Sequence, residues 1–571
     1  MKSELRVGHP VKKELGIAFR TIVILWCIGS VLIQFLSGFH IIPGSSQTVW
    51  LFLMSLLLIG GTLFGGAVHL VPVDFSSMIA ALAMLLSFRF SVLGFRTEGG
   101  VFEFLAEWFE RSRVISAVMT VCFFLFFYCL FCCVRSNLRS FQGVKVSTGK
   151  QKQHWFFWLC AVVSGILLLQ YATFFPFGKS PDSLQQWDQI HGAVSYNTIH
   201  AIGHTIFLKV LLSLWDSYAI VVVVQIIAVL ALYLWFGKHF LDRLQGFFVL
   251  TVIALSLVWM TVATPALFYP WKDAPEACCL MVVTILIAEL QEQQCLSLLK
   301  AGMLGAALAW CSLFRLNGAV ATICCTVFFI PALIRRGLRK QLAVMLLTGV
   351  VSVAGVLLYS SLVLQPVSIP NGFGYQVFGS GIASVVSRDE LSEEERTAIE
   401  ELLPVEWMEE YYVSPYQKQP LFWTADGSEN IQNNPNFALM NNDFVLQLGR
   451  NGHEVVRLYL KLFQNHSRTM LQDLLGNWSC VFLQNHLYFV ATHLFQSLLL
   501  FFLVIRLKTP FTNLAVFLPA LCNTVSIMIS TVTNETRYLL PTFLIFPFLV
   551  LYLLNVHSQT GEEVQLSWER I

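Results

Sequence analysis

Charge is what this chain has least of. Only 12% of its 571 residues are Asp, Glu, Lys or Arg, 56% are hydrophobic, and the mean hydropathy is +0.67. That balance excludes a disordered chain, which needs charge and little apolar surface. It also excludes an ordinary soluble domain, where about a quarter of residues are charged. The chain shows no heptads, no low-complexity tract and no internal repeat. Its 14 cysteines form no disulfide framework and no zinc spacing. Thirteen lie in or beside apolar stretches, among them Cys132-Cys133, Cys278-Cys279 and Cys324-Cys325, where cysteine behaves as a small apolar residue.

What remains is hydrocarbon. Many stretches run about 20 residues with hardly a charge, the length that crosses roughly 30 Å of lipid. The sequence therefore reads as an all-α polytopic membrane protein with about 14 transmembrane helices. The expected spans lie near 17–42, 49–71, 75–95, 114–134, 155–177, 218–236, 246–266, 274–290, 302–314, 317–334, 342–363, 481–505, 511–531 and 538–555. The first follows Lys2, Arg6, Lys12 and Lys13 and is too long for a signal-peptide core, so it reads as a retained anchor. The pair within 302–334 is short for two crossings and reads as a hairpin of half-length helices meeting at Arg315-Leu-Asn-Gly318.

The basic residues orient these spans. Arg135, Arg139, Lys145, Lys150 and Lys152 crowd one short loop, Arg335, Arg336, Arg339 and Lys340 a second, and Arg506 and Lys508 a third. Short loops rich in Lys and Arg stay cytoplasmic. All three fall on the side of the N-terminus, so both termini are expected in the cytoplasm of a multi-pass protein of the cell membrane. The segments 178–217, 267–273, 364–480 and 532–537 are then extracytoplasmic. The net charge of +2 says little about partners, because the charges are sorted by side. No nucleic acid is expected among them.

Four parts follow from this division. Residues 1–150 form an N-terminal four-helix membrane extension with no catalytic signal. Residues 151–363 form a membrane core that includes the outer loop 178–217, in which 203–217 reads as an interfacial helix. Residues 364–480 form a small extracytoplasmic, mostly helical domain with 15 acidic and 7 basic residues, a net charge of −8. In it Ser392-Glu-Glu-Glu395 is a capping box whose helix should stop before Pro404, and 443–466 reads as an amphipathic helix interrupted near Gly449 and Gly452. Residues 481–571 supply the C-terminal membrane helices and a short cytoplasmic tail.

The segment from Phe174 to His204 is the polar exception. It holds Asp182, Asp188, His191, His200, His204, Trp187, Tyr196 and several glutamines. A carboxylate at the edge of a bilayer is costly unless it is solvated, paired or used. Asp182 has a modest explanation as well, because Ser180-Pro-Asp-Ser183 suits the capped first turn of a helix. Asp188, six residues on, falls on another helical face and reads as structural. His200 and His204 have i, i+4 spacing, but no tight metal spacing is visible, and a structural role fits them better. Three more polar clusters are expected at the same surface: Trp271-Lys-Asp273, Arg315 with Asn317, and Asn534-Glu-Thr-Arg-Tyr538. Lys272 beside Asp273 can simply snorkel, and Arg537 can anchor the interface. Arg315 is harder to dismiss, since so deep a charge needs a cavity or a partner. Arginines at a membrane surface suit an anion held through a bidentate fork, and a nearby aspartate could take a proton from a hydroxyl. Together these fit sugar transfer from a lipid phosphate, or recognition of a lipid phosphate without chemistry.

These residues resemble the GT-C superfamily of membrane glycosyltransferases, and within it an uncharacterised bacterial family related to the protein O-mannosyltransferase and aminoarabinose-transferase group. The carriers are Phe175-Pro-Phe-Gly-Lys-Ser-Pro-Asp-Ser183 with Gln186, Gly192, Tyr196, Asn197, His200 and His204-Thr205, then Tyr269-Pro-Trp-Lys-Asp273, Phe314-Arg-Leu-Asn-Gly318 and Arg537-Tyr-Leu-Leu-Pro541. They span roughly 155–555. The family pattern has His-Pro where this chain has His200-Ala201, and no paired acidic motif accompanies Asp182. The resemblance implies a GT-C-like core and an inverting enzyme whose catalytic base is Asp182. It implies a polyprenyl-phosphate-sugar donor and a glycan, lipid or protein acceptor on the extracytoplasmic face, among membrane lipids. Arg315 and Arg537 would be candidates for the donor phosphate and Lys272 with Asp273 for a second polar cluster. Asn317, Gln186, Tyr196, His200 and His204 are the further substrate-binding candidates. No cofactor is indicated, and a divalent metal is left open. A transporter or flippase of a lipid-linked saccharide is the alternative from another class, and a polysaccharide polymerase or ligase is a third. Polar groups near the bilayer midplane would favour the transporter.

Overall fold

The computed structural model describes residues 149–175, 177, 181–368, 370, 372–415, 418–423, 443–483, 493–507, 509–530 and 536–568, with seven scattered positions before 149. The four expected spans within 17–134, the N-terminal extension, Ser180 and Glu535 lie outside the described residues. Among the described residues every regular element is helical, and two residues, Asn197 and Val367, form an isolated β-bridge.

In chain order the longer helices are α1 (Gly149–Phe174), α2 (Pro181–Ile190), α3 (Ile202–Leu214), α4 (Tyr218–Leu241), α5 (Gly246–Ala263), α6 (Asp273–Gln293), α7 (Leu298–Phe314), α8 (Gly318–Arg335) and α9 (Arg339–Tyr359). Then come α10 (Gln376–Arg388), α11 (Glu393–Glu400), α12 (Val405–Tyr411), α13 (Gln419–Trp423), α14 (Asp443–Arg450), α15 (Gly452–Asn465), α16 (Ser467–Leu483), α17 (His493–Arg506), α18 (Leu518–Ser530) and α19 (Leu540–Trp568). Among the described residues six helical stretches are long and apolar enough to cross a membrane: Gly149–Phe174, Tyr218–Leu241, Gly318–Arg335, Arg339–Leu364, Phe511–Ser530 and Arg537–Ser558. The chain is thus an all-α protein with the helices of a membrane protein.

One expectation about spans is modified. The helices around Arg315 are not half-length: α7 has 17 residues and α8 has 18, about 26 Å each at 1.5 Å per residue. Periodicity missed the start of α7 because Leu298-Leu-Lys-Ala301 brings a lysine into its first turn. The stretch expected as one span at 481–505 is described at 481–483 and 493–505, in α16 and α17, and 484–492 lie outside the described residues.

Burial follows from composition. The apolar run from Leu540 to Val556 has no polar face except Thr542 and Asn555, and a helix apolar all round belongs inside. Accordingly 94% of the most apolar window of Arg537–Ser558 is buried, against 11% for Arg339–Leu364, which lies at the periphery. The buried helix packs on α5, α6, α17 and α18. Helices α7 and α9 approach closely at Gly305, where any Cβ would strike the Met345 carbonyl. Thr348 bridges the same seam by donating its hydroxyl to the Gly302 carbonyl at 3.1 Å. Small residues at helix crossings are how apolar helices associate where water gives no drive.

Residues 372–474 build a second hydrophobic cluster, with Ile382, Val385, Leu403, Met408, Phe422, Phe444, Leu448 and Leu462 fully buried. The Ser392 capping box is present, its helix ends at Glu400, and the amphipathic stretch is split into α14 and α15 at Asn451. At the centre lies Asp473, 2% exposed. Lys418 Nζ donates to its Oδ2 at 2.8 Å, Ser380 Oγ to the same oxygen at 2.8 Å and the Tyr412 hydroxyl to Oδ1 at 2.7 Å. Removing one member of a buried ion pair strands the other. Asp473→Ala should therefore destabilise this unit by about 3–5 kcal/mol, seen as a lower unfolding temperature of the purified protein. An unchanged temperature would show that the pair carries no net stability.

Candidate active site

Helix α2 turns its polar residues inward. Asp182 sits in its first turn, and Gln185, Gln186 and Gln189 follow at i+3, i+4 and i+7, all three buried. This is one helical face. Asp188 lies off it, as expected from the spacing. The glutamines hold the next segment: His200 Nε2 lies 2.6 Å from Gln185 Oε1, His204 Nδ1 lies 2.9 Å from Gln186 Oε1, and Gln186 Nε2 donates to Thr205 Oγ1 at 2.9 Å. Gln185 Oε1 accepts, so His200 Nε2 carries the proton and Nδ1 the lone pair. Paired backbone bonds between Tyr196, Thr198 and Val367 tie this loop to the start of the outer segment.

The second cluster opens α6. Asp273 and Glu276 occupy its first turn, where the helix dipole favours acids. Both are fully buried. Arg315 stands at the break between α7 and α8, in extended backbone, and is 6% exposed. Its Nη1 pairs with Asp273 Oδ1, and its Nε lies 3.6 Å from Glu276 Oε2. The guanidinium also stacks 4.4 Å from the centre of the Tyr538 ring.

Arg537 precedes the buried C-terminal helix and completes the convergence. Its guanidinium lies 4.8 Å from the Trp271 ring centre and 5.1 Å from that of Tyr538. Its Nη1 donates to Asp182 Oδ2 at 3.1 Å, and Lys272 Nζ lies 3.6 Å from the same oxygen. Residues 182, 272, 315 and 537 therefore meet, although they come from four separate stretches of chain. They line a pocket of about 140 Å³ with His200, Ala201, Asn317, Ser530 and Tyr538, and Phe373, Gly374 and Gln376 of the outer segment close one side.

Electrostatics set the protonation states. Burial is the largest influence on Asp182 and would raise its carboxyl, but Lys272 and Arg537 together outweigh it. The group is held well below the ordinary carboxylate range. Burial, followed by the charge of Lys272, lowers His200 to about 4, so it is neutral near pH 7. Among the described residues no cluster of three or more His, Cys, Asp or Glu is placed to hold a metal ion.

Of the residues singled out from sequence, Asp182, Lys272, Arg315, Asn317, Arg537 and His200 line the pocket, and Asp273 stands directly behind it on Arg315. Gln186 and His204 do not line it; they form the buried clamp between α2 and α3. Tyr196 does not line it either, and its hydroxyl accepts from Lys209 Nζ at 3.1 Å. Sequence reasoning passed over Glu276, which its i+3 spacing from Asp273 could have revealed. It also passed over Phe373, Gly374 and Gln376, which carry no distinguishing signal. Comparison of the chain with protein-family models, with curated proteins and with solved structures finds no match.

The depressed His200 has a consequence for stability. Unfolded histidine takes a proton near pH 6.5, while the folded group waits until about 4. Between those values the unfolded chain binds more protons, so stability falls as pH falls. About 2 kcal/mol should be lost between roughly pH 7 and pH 5, read from unfolding temperatures. His200→Gln should make that slope shallower, with His204, also lowered by burial, carrying part of the remainder, and an unchanged slope would place the titrating group elsewhere.

Proposed function

We propose that the protein is a membrane glycosyltransferase of the GT-C type. It moves a sugar from a polyprenyl-phosphate-linked donor to an acceptor on the extracytoplasmic face, with Asp182 as general base and inversion at the sugar. The observation that carries this reading is the meeting of Asp182, Lys272, Arg315 and Arg537 around one pocket. Arg315 is held by Asp273 and Glu276, while Lys272 and Arg537, which share the lining carboxylate, suit a phosphate. Arg537, braced on two aromatic rings, presents the planar fork that recognises it. The carboxylate beside that fork is within reach of an acceptor hydroxyl. In this scheme the hydroxyl oxygen attacks the anomeric carbon, its proton passes to Asp182, and the bond from that carbon to the phosphate oxygen breaks.

One observation favours the alternative of a lipid-linked saccharide transporter. Asp182 is drawn into an ion pair and held well below the usual range, which suits binding better than proton abstraction. The two readings part in a transfer assay. Asp182→Asn keeps the shape of the side chain and removes the base. It should lower sugar transfer by about 10²-fold or more, with membrane insertion near wild type and an unfolding temperature lowered only as far as the loss of the Lys272 and Arg537 counter-ion requires. Lipid-linked monosaccharide should accumulate in cells carrying the variant, seen by mass spectrometry. Full activity in Asp182→Asn would sink the assignment of the base.

A further inference from the structure

We propose that Asp182 and the phosphate of an incoming ligand compete for the same two cations, so that binding of the anion is what releases the carboxylate. This rests on the reading of the pocket as a phosphate site.

The geometry separates the three cations. Arg315 is already matched: Asp273 and Glu276 are both fully buried and both face it. Lys272 and Arg537 both line the pocket and converge on one oxygen of Asp182, Oδ2, at 3.6 and 3.1 Å. A phosphodiester carries one negative charge, and its oxygens fit the lysine and arginine heads as charge-assisted acceptors.

Arg537 does not depend on Asp182 for its place. Trp271 and Tyr538 lie against its guanidinium, and Nη2 donates to the Tyr538 hydroxyl at 3.4 Å. When Asp182 lets go, the fork stays where it is. His200 completes the surroundings of the carboxylate, and it is neutral, so it offers no replacement charge. Once phosphate oxygens occupy Lys272 and Arg537, the carboxylate loses its counter-ions and gains a like charge beside it. Both changes make it a stronger base. Asp182 is then an effective base only when the donor is in place.

The test is binding, without turnover. A polyprenyl monophosphate in detergent micelles and, separately, inorganic phosphate are titrated against the full chain. Asp182→Asn should bind the polyprenyl phosphate about tenfold or more tightly than wild type, because a competing charge has gone, and Arg537→Gln about tenfold or more weakly. Asp182→Ala serves where Asp182→Asn does not fold. Weakened binding in Arg537→Gln with unchanged or weaker binding in both Asp182 variants overturns the competition and leaves the phosphate site standing. No binding by wild type, or none that depends on Arg537, overturns the phosphate site and the competition with it. Equal behaviour of inorganic phosphate upholds the competition and overturns a lipid as the source of the phosphate.

Discussion

The buried guanidinium of Arg315 is the constraint from which the rest of the site follows. It lies at the corner between two apolar helices, where an unmatched charge would cost several kcal/mol. Asp273 and Glu276 carry the opposite problem at the start of α6. Bringing the three together answers both and fixes the N-terminal end of α6 against the α7–α8 corner. With that joint fixed, Lys272 and Trp271 have their positions, one and two residues before Asp273. Tyr538 stacks on the far side of Arg315, and its chain neighbour Arg537 is delivered to Trp271. Asp182 is the last to join, reached by Arg537 and Lys272 from the opposite wall.

Much of this was legible because charge is so scarce. In a chain with 12% charged residues, each carboxylate or guanidinium beside a long apolar run needs a reason. Arg315, Lys272, Asp273, Arg537 and Asp182 stand out on that ground alone. The helical character was equally plain, since period and run length leave little else for a membrane. What stayed hidden had no such mark. Gln376 and Phe373 look like any residues of a polar loop, and only the packing of 372–376 beside α18 brings them to the pocket. The length of α7 was hidden by Lys300, whose amine is satisfied by Glu289 at 2.6 Å; an ion pair to a neighbouring helix lets a charge sit in an otherwise apolar turn. The glutamines of α2 were visible as a polar run, but their partners across the clamp were not. His200 and His204 are held by Gln185 and Gln186, and nothing in one sequence names such a pairing.

The two arginines, alike in the sequence reading as phosphate candidates, are set in different surroundings. Arg315 has two buried carboxylates and a ring, and its charge is used in holding helices together. Arg537 lies against two rings, shares the Asp182 carboxylate with Lys272, and lines the pocket. A guanidinium braced by aromatic faces keeps its donors in position while its counter-ion is exchanged. A guanidinium braced by acids cannot change partners without stranding two buried acid side chains. That difference in what surrounds each arginine, rather than its distance from Asp182, separates the cation that holds the fold from the cation that can meet a ligand.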